Sequence, residues 1–313
     1  MSPEAAKPPR PPTVGPYDAQ IMRPANVLRR LFTRPRQLPG CRNENWTATR
    51  KLWQSDQQFA QGYKEWQVGL KSHVDEGASL SILKFGDGDY HFLQQTAVGS
   101  ARPGRRALSL SYSEIDHERF TTGATACDLY ACESAPAIRQ MFSACLPTCT
   151  VAFPAEYCYA AVSSRWIFSL SPSVTIVGAD EKLSLIENLL GFPDYREFLG
   201  IDSVEFVRIP QRFACDDLDA VTTKVAGQLE GTSSPLVLVG VGHIKSGLLH
   251  ALPAVRSAVY LDVGSGIDAI AGVIDRSRPF FADWTNFQFR DQSRYENIDT
   301  LQVKEFARVR LVG

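Results

Sequence analysis

Beyond residue 171 the chain is built from short continuous apolar runs separated by amphipathic stretches. Val174-Thr175-Ile176-Val177, Val204 to Ile209, Leu236-Val237-Leu238-Val239 and Val259-Tyr260-Leu261-Asp262-Val263 each have the length of a strand. Between the first two, residues 181–190 carry Leu183, Ile186 and Leu190 on one helical face. Asp216 and Asp217 stand where they can cap and charge a helix running to Leu229. Uninterrupted apolar strands are expected when both faces of a sheet are covered, and strands alternating with helices of this length give a parallel, doubly wound sheet. The predicted fold is therefore α/β, a Rossmann-like, doubly wound, mostly parallel sheet flanked by helices.

Upstream, Trp53, Phe59, Tyr63, Trp66 and Leu70 recur at intervals near three and four, which predicts a helix within 46–76 covering one sheet face. Gly77 closes it, and Leu80 to Lys84 reads as the first parallel strand. Residues 95–125 carry little regular signal, with Arg102, Arg105 and Arg106 in a Gly/Pro context that reads first as a solvated loop. Ser134 followed by Pro136 predicts a helix start, and Pro154-Ala155-Glu156-Tyr157 another that runs toward Trp166 and Phe168. Residues 1–40, rich in Pro and Arg, read as a flexible arm, and 41–313 as a single domain.

Charge and composition narrow the partners. A net charge of −1 argues against a nucleic-acid footprint, and 44% hydrophobic with 21% charged residues is ordinary for a globular protein. No run approaches the length of a membrane span, and the N-terminal stretch lacks the apolar core of a secretory signal. Seven cysteines without paired C-x-x-C spacing read as reduced, mostly buried thiols, and the expected location is the cytoplasm.

The candidate chemistry lies where runs end. Lys84-Phe85-Gly86-Asp87-Gly88-Asp89 follows the first strand with two carboxylates around a glycine. Such a pair suits Mg²⁺ or Mn²⁺, which take oxygen ligands from one or two carboxylates and substrate phosphates; the competing reading is an ordinary Gly/Asp turn. Gly240-Val241-Gly242-His243-Ile244-Lys245-Ser246 leads from a strand into a short helix, where backbone N–H groups and Lys245 favour a phosphate. It matches neither the dinucleotide fingerprint nor a P-loop. Asp262-Val263-Gly264-Ser265-Gly266 looks like the first motif of S-adenosylmethionine methyltransferases. Against that stands Asp268 where a further glycine is normal, and only 47 residues follow Gly266.

Taken in order, these stretches resemble the bacterial glycosyltransferases of the GT-D fold. The resemblance also rests on Pro154-Ala155-Glu156-Tyr157 with Trp166-Ile167-Phe168, on residues 209–217, and on Arg278-Pro279-Phe280-Phe281-Ala282-Asp283-Trp284-Thr285-Asn286. The family's metal motif is usually Arg-Phe-Gly-Asp-Gly-Glu; here Lys84 stands for the arginine and Asp89 for the glutamate. The resemblance implies metal-assisted transfer of a sugar from a nucleotide-diphosphate donor to a glycan, lipid or protein acceptor. It implies Asp87 and Asp89 as ligands of Mn²⁺ or Mg²⁺. Phe85, Gly86, Gly88, Gly240, Gly242, His243, Lys245, Ser246, Gly264 and Ser265 would line the donor site. An inverting transfer needs a base, for which Asp268, Asp283 and Glu156 are the candidates. The alternatives carried forward are a methyltransferase or other Rossmann-type enzyme using Asp262, and a non-catalytic nucleotide-sugar-binding module.

Overall fold

The aromatic stripe folds as predicted, into helix α1 (Gln57–Asp75), which buries Phe59, Tyr63, Leu70 and Val74. The computed structural model describes residues 57–95, 115–191, 193–209 and 217–271. Trp53, the Pro/Arg-rich arm, the Arg102–Arg106 loop and Asp283 lie outside them. Tyr157 packs edge-on to Phe59 with ring centroids 4.9 Å apart and lies 5.8 Å from Trp66, so α1 is fixed by ring packing. Each such aromatic pair contributes ~0.5–1.5 kcal/mol beyond its burial.

Among the described residues seven strands form one sheet: β1 (Leu80–Phe85), β2 (Leu129–Cys132), β3 (Phe153–Pro154), β4 (Ser173–Ala179), β5 (Ser203–Ile209), β6 (Leu236–Gly240) and β7 (Val259–Asp262). Their order is β3-β2-β1-β7-β6-β4-β5, and every pairing is parallel. The strands read from continuous apolar runs are present to within a residue or two of their predicted ends. β2 and β3 were not predicted. Four and two residues are too few to show a period, and the pairing of β2 with β1 and of β3 with β2 supplies what their sequence does not.

Helices cover both faces. On one lie α1, α5 (Ala155–Ser163), the 3₁₀ turn Trp166–Ser169, α6 (Asp180–Leu190), α7 (Pro193–Leu199) and α11 (Gly266–Ile270). On the other lie α2 (Asp87–Leu93), α3 (His117–Thr125), α4 (Pro136–Cys145), α8 (Leu218–Leu229), α9 (Lys245–Leu248) and α10 (Leu252–Val255). Two departures from expectation concern the site. The Asp87-Gly88-Asp89 stretch is the first turn of a helix and no loop, with both acids placed favourably for the helix dipole. The featureless 95–125 stretch contains α3, held by Phe120 and capped by Asp116, whose carboxylate accepts from the Arg119 N–H at 3.1 Å.

This layering positions the site. The chain leaves β1 and β6 toward the α2/α9 layer, but leaves β7, which lies between them, toward the α11 layer. Neighbouring strands whose connections part to opposite faces leave a crevice outside their carboxyl ends, the place where such sheets bind ligands.

Candidate functional site

The floor of that crevice is a buried charge cluster centred on Lys245. Its ammonium donates to Asp262 Oδ2 at 2.6 Å, to Asp89 Oδ2 at 3.0 Å and to the Lys84 carbonyl. Asp262 is 1% exposed, Lys245 5% and Asp89 7%. Asp262 Oδ2 also accepts the Lys84 N–H at 3.1 Å, and Oδ1 the Gly264 N–H at 2.8 Å. Asp89 Oδ2 closes back on the Gly86 N–H at 2.8 Å. One ammonium thus joins the ends of β1 and β7 to the loop after β6. Burial alone would depress its pKa, but the Asp262 and Asp89 carboxylates outweigh it and hold the value above that of an ordinary lysine. Burial would likewise raise Asp89, and the charges of Lys245, Lys84 and His243 reverse this and lower it.

Beside the cluster runs a second chain of contacts. Lys84 Nζ donates to the Tyr159 hydroxyl at 3.1 Å, and that hydroxyl donates to Glu133 Oε1 at 3.1 Å. Burial works against the Lys84 charge, yet Asp262, Asp89 and Glu133 raise its pKa. Gly264 has φ +50, and a Cβ there would lie 2.7 Å from Lys84 Cε, so the lysine passes beneath this loop only because the residue is glycine.

The predicted site residues separate into those brought to the crevice and those taken up by packing. Asp87 and Gly88 sit half-buried in the first turn of α2. His243 stacks on Phe92 at 4.7 Å with the rings 3° from parallel, and a Cβ on Gly88 would lie 3.5 Å from its Cε1. Gly86, Gly264 and Ser265 border the floor, and Gly242 is exposed with φ +64. Phe85 does not face a ligand: it is fully buried, edge-on to Phe142 at 5.3 Å. Gly240 is a packing residue, since a Cβ there would meet Ile267 Cβ at 2.8 Å and its Cγ1 closer still. Lys245 and Ser246, expected to meet a phosphate, are both buried, because a 3₁₀ turn (Gly242–Ile244) winds directly into the four-residue α9 and carries them inward.

The candidate bases are likewise placed. Glu156 is 1% exposed and accepts the Ser134 N–H at 2.8 Å and its hydroxyl at 3.2 Å. Burial raises its pKa against those hydrogen bonds. Asp268 forms an ion pair with Lys182 at 2.5 Å, joining α11 to α6.

The expected metal ligands do not amount to a preformed site among the described residues. Positions two apart on a helix do not face each other, so Asp87 and Asp89 diverge. The Lys245 ammonium already neutralises Asp89, and no group of three or more His, Cys, Asp or Glu side chains converges among the described residues.

Glu133 and Tyr159 escaped the sequence reading of the site, while Lys84 and Asp262 stood in its motifs without a role in the donor site. Asp262 had a signal, an acid closing an apolar strand. Glu133 follows β2, which was not predicted. Tyr159 falls three residues after Glu156, on the same helical face, so that both reach the loop after β2.

The five described cysteines are free, and burial pushes the thiols of Cys127, Cys132 and Cys158 up to about 12, so they are inert. No helix among the described residues is long and apolar enough to cross a membrane.

No protein-family model matches the sequence, and no curated protein matches it. Among solved structures, the chain is similar to a glycosyltransferase (DUF1792) from Streptococcus sanguinis, at 13% identity and a TM-score of 0.46, covering 74% of this chain and 96% of that one. At this similarity nothing of that protein's chemistry carries over.

Proposed function

We propose that the chain is a glycosyltransferase that takes its sugar from a nucleotide-diphosphate donor bound over the carboxyl ends of β1, β7 and β6. One observation carries the reading. The strand connections part around β7, and the crevice this creates is floored by Lys84, Asp89, Asp262 and Lys245 with Glu133 beside them. A sugar losing its diphosphate becomes oxocarbenium-like, and carboxylates near that carbon lower the barrier. The ordered motifs from Lys84 to Asn286 support the same reading. Gly242 and Gly264, both at positive φ, let backbone approach a bound nucleotide closely.

The methyltransferase alternative needs Asp262 to reach a ribose. Its carboxylate is buried and shared among Lys84, Lys245 and Gly264, which counts against it.

A thermal-shift panel of UDP, GDP, dTDP, CDP and S-adenosylmethionine, each with and without Mn²⁺, tests the proposal. A ligand at about 100 times its dissociation constant stabilises the native state by roughly 2.7 kcal/mol. The expected result is a shift with one nucleoside diphosphate, and the Mn²⁺ arm reads metal dependence directly. A shift with S-adenosylmethionine alone overturns it.

A further inference from the structure

The geometry points to Glu133 as the base that takes the proton from the acceptor hydroxyl; this rests on the transferase reading above. Among the described residues, four other acids near the crevice or weighed as the base are already engaged. Asp89 and Asp262 are committed to Lys245, Asp268 to Lys182, and Glu156 to Ser134. Glu133 is half-buried at the carboxyl end of β2, and among the described residues its carboxylate accepts from Tyr159 through Oε1. It therefore retains acceptor capacity at its second oxygen, whereas Asp262 and Glu156 accept on both.

Its position is suited to the task. A Cβ on Gly86 would lie 3.8 Å from Glu133 Oε1 and 3.9 Å from Asp89 Oδ2, so the space over Gly86 is bordered by both carboxylates. An acceptor entering there has Glu133 on one side and the charge cluster on the other. The groups facing Glu133 are Lys84 on β1, Asp89 on α2, Arg139 on α4, whose Nε donates to the Glu133 carbonyl at 3.2 Å, and Glu156 and Tyr159 on α5. Tyr159 and Lys84 are positioning residues. The Lys84 ammonium orients the phenol, and the phenol fixes one oxygen of the carboxylate.

In the transfer, the acceptor oxygen bonds to the anomeric carbon as its proton passes to Glu133. The bond from that carbon to the diphosphate breaks, and its electron pair leaves on the phosphate oxygen. The products are the glycosylated acceptor, the nucleoside diphosphate and a protonated Glu133, which then loses its proton to water. With water as acceptor the same step is hydrolysis of the donor, which needs no knowledge of the natural acceptor.

The test uses the full chain with UDP-, GDP-, dTDP- and CDP-sugars, following release of nucleoside diphosphate and, in parallel, its binding by thermal shift. Glu133→Gln keeps an oxygen for Tyr159 and so preserves the fold. Expected are unchanged nucleotide binding and a loss of kcat of at least about 100-fold. Tyr159→Phe should lower kcat with KM for the donor unchanged, because it releases the carboxylate oxygen that the phenol holds in place. Turnover by Glu133→Gln within threefold of native overturns the assignment and leaves the transferase reading standing. A native chain that binds no nucleoside diphosphate, or binds one without releasing any from its sugar, overturns both.

Discussion

Replacing Lys245 by methionine tests whether the crevice floor is held by charge. Methionine fills a similar volume but removes the ammonium shared by Asp262, Asp89 and the Lys84 carbonyl. Two carboxylates, 1% and 7% exposed, are then left without their principal partner. Removing one member of a buried pair typically costs ~3–5 kcal/mol. At roughly 2–4 °C per kcal/mol for a domain of ~150–250 residues, the melting temperature should fall by about 6–20 °C.

The pH dependence gives a second signature. In the native protein Asp89 has a lowered folded pKa, so its contribution is present above the ordinary carboxylate range, ~4, and is lost only as pH falls through the lower folded value. In Lys245→Met, burial acts on Asp89 with its main counter-charge gone and raises the folded value instead. The variant therefore recovers stability as pH falls from neutrality toward that range, and the gap to native narrows. Combining Asp89→Asn with Lys245→Met should cost less than the two single changes added together, by about 0.5–3 kcal/mol. Calorimetry across pH reads all three. A melting temperature within 2 °C of native, or a gap that stays constant with pH, would refute the reasoning.

Two further outcomes follow from the same contacts. Gly240→Ala forces a Cβ against Ile267 and should destabilise by ~1–3 kcal/mol in urea melts, whereas Gly227→Ala, with nothing within 4 Å, should not. Glu156→Gln should change stability little at neutral pH, since an amide can still accept the Ser134 N–H. The folded pKa of Glu156 is raised, so its ionisation disfavours the native state as pH rises from ~4 toward that raised value, and the variant should compare better with native at pH 7.5 than at pH 4.5. Paired denaturant titrations at the two values check the sign.

What could be read from sequence follows the physics of each element. β4, β6 and β7 are buried on both faces, so their apolar runs are unbroken and visible. α3 was hidden because one large apolar residue, Phe120, anchors a segment rich in Thr and Gly. The Asp87-Gly88-Asp89 stretch reads as a tight turn and not as a helix start because two glycines mask the Tyr90, Phe92 and Leu93 that follow; acids at the first and third helical positions are the available signal. The direction of Lys245 was not legible at all. Whether a lysine after a strand points to ligand or core depends on Asp89 and Asp262, which are 156 and 17 residues away along the chain.

The place of β1 in the sheet also bears on how the chain is made. Among the described residues β1 is the first strand to be synthesised, yet one of its edges pairs with β7, the last of them. A ribosome therefore releases β1, β2 and β3 as a half-sheet whose inner edge has no partner until residues 259–262 emerge. An exposed edge of buried-type sequence invites pairing with another chain. Fragments ending before β7 should accordingly aggregate, since the late union of β1 with β7, which also brings Asp262 to Lys245, is what closes that edge.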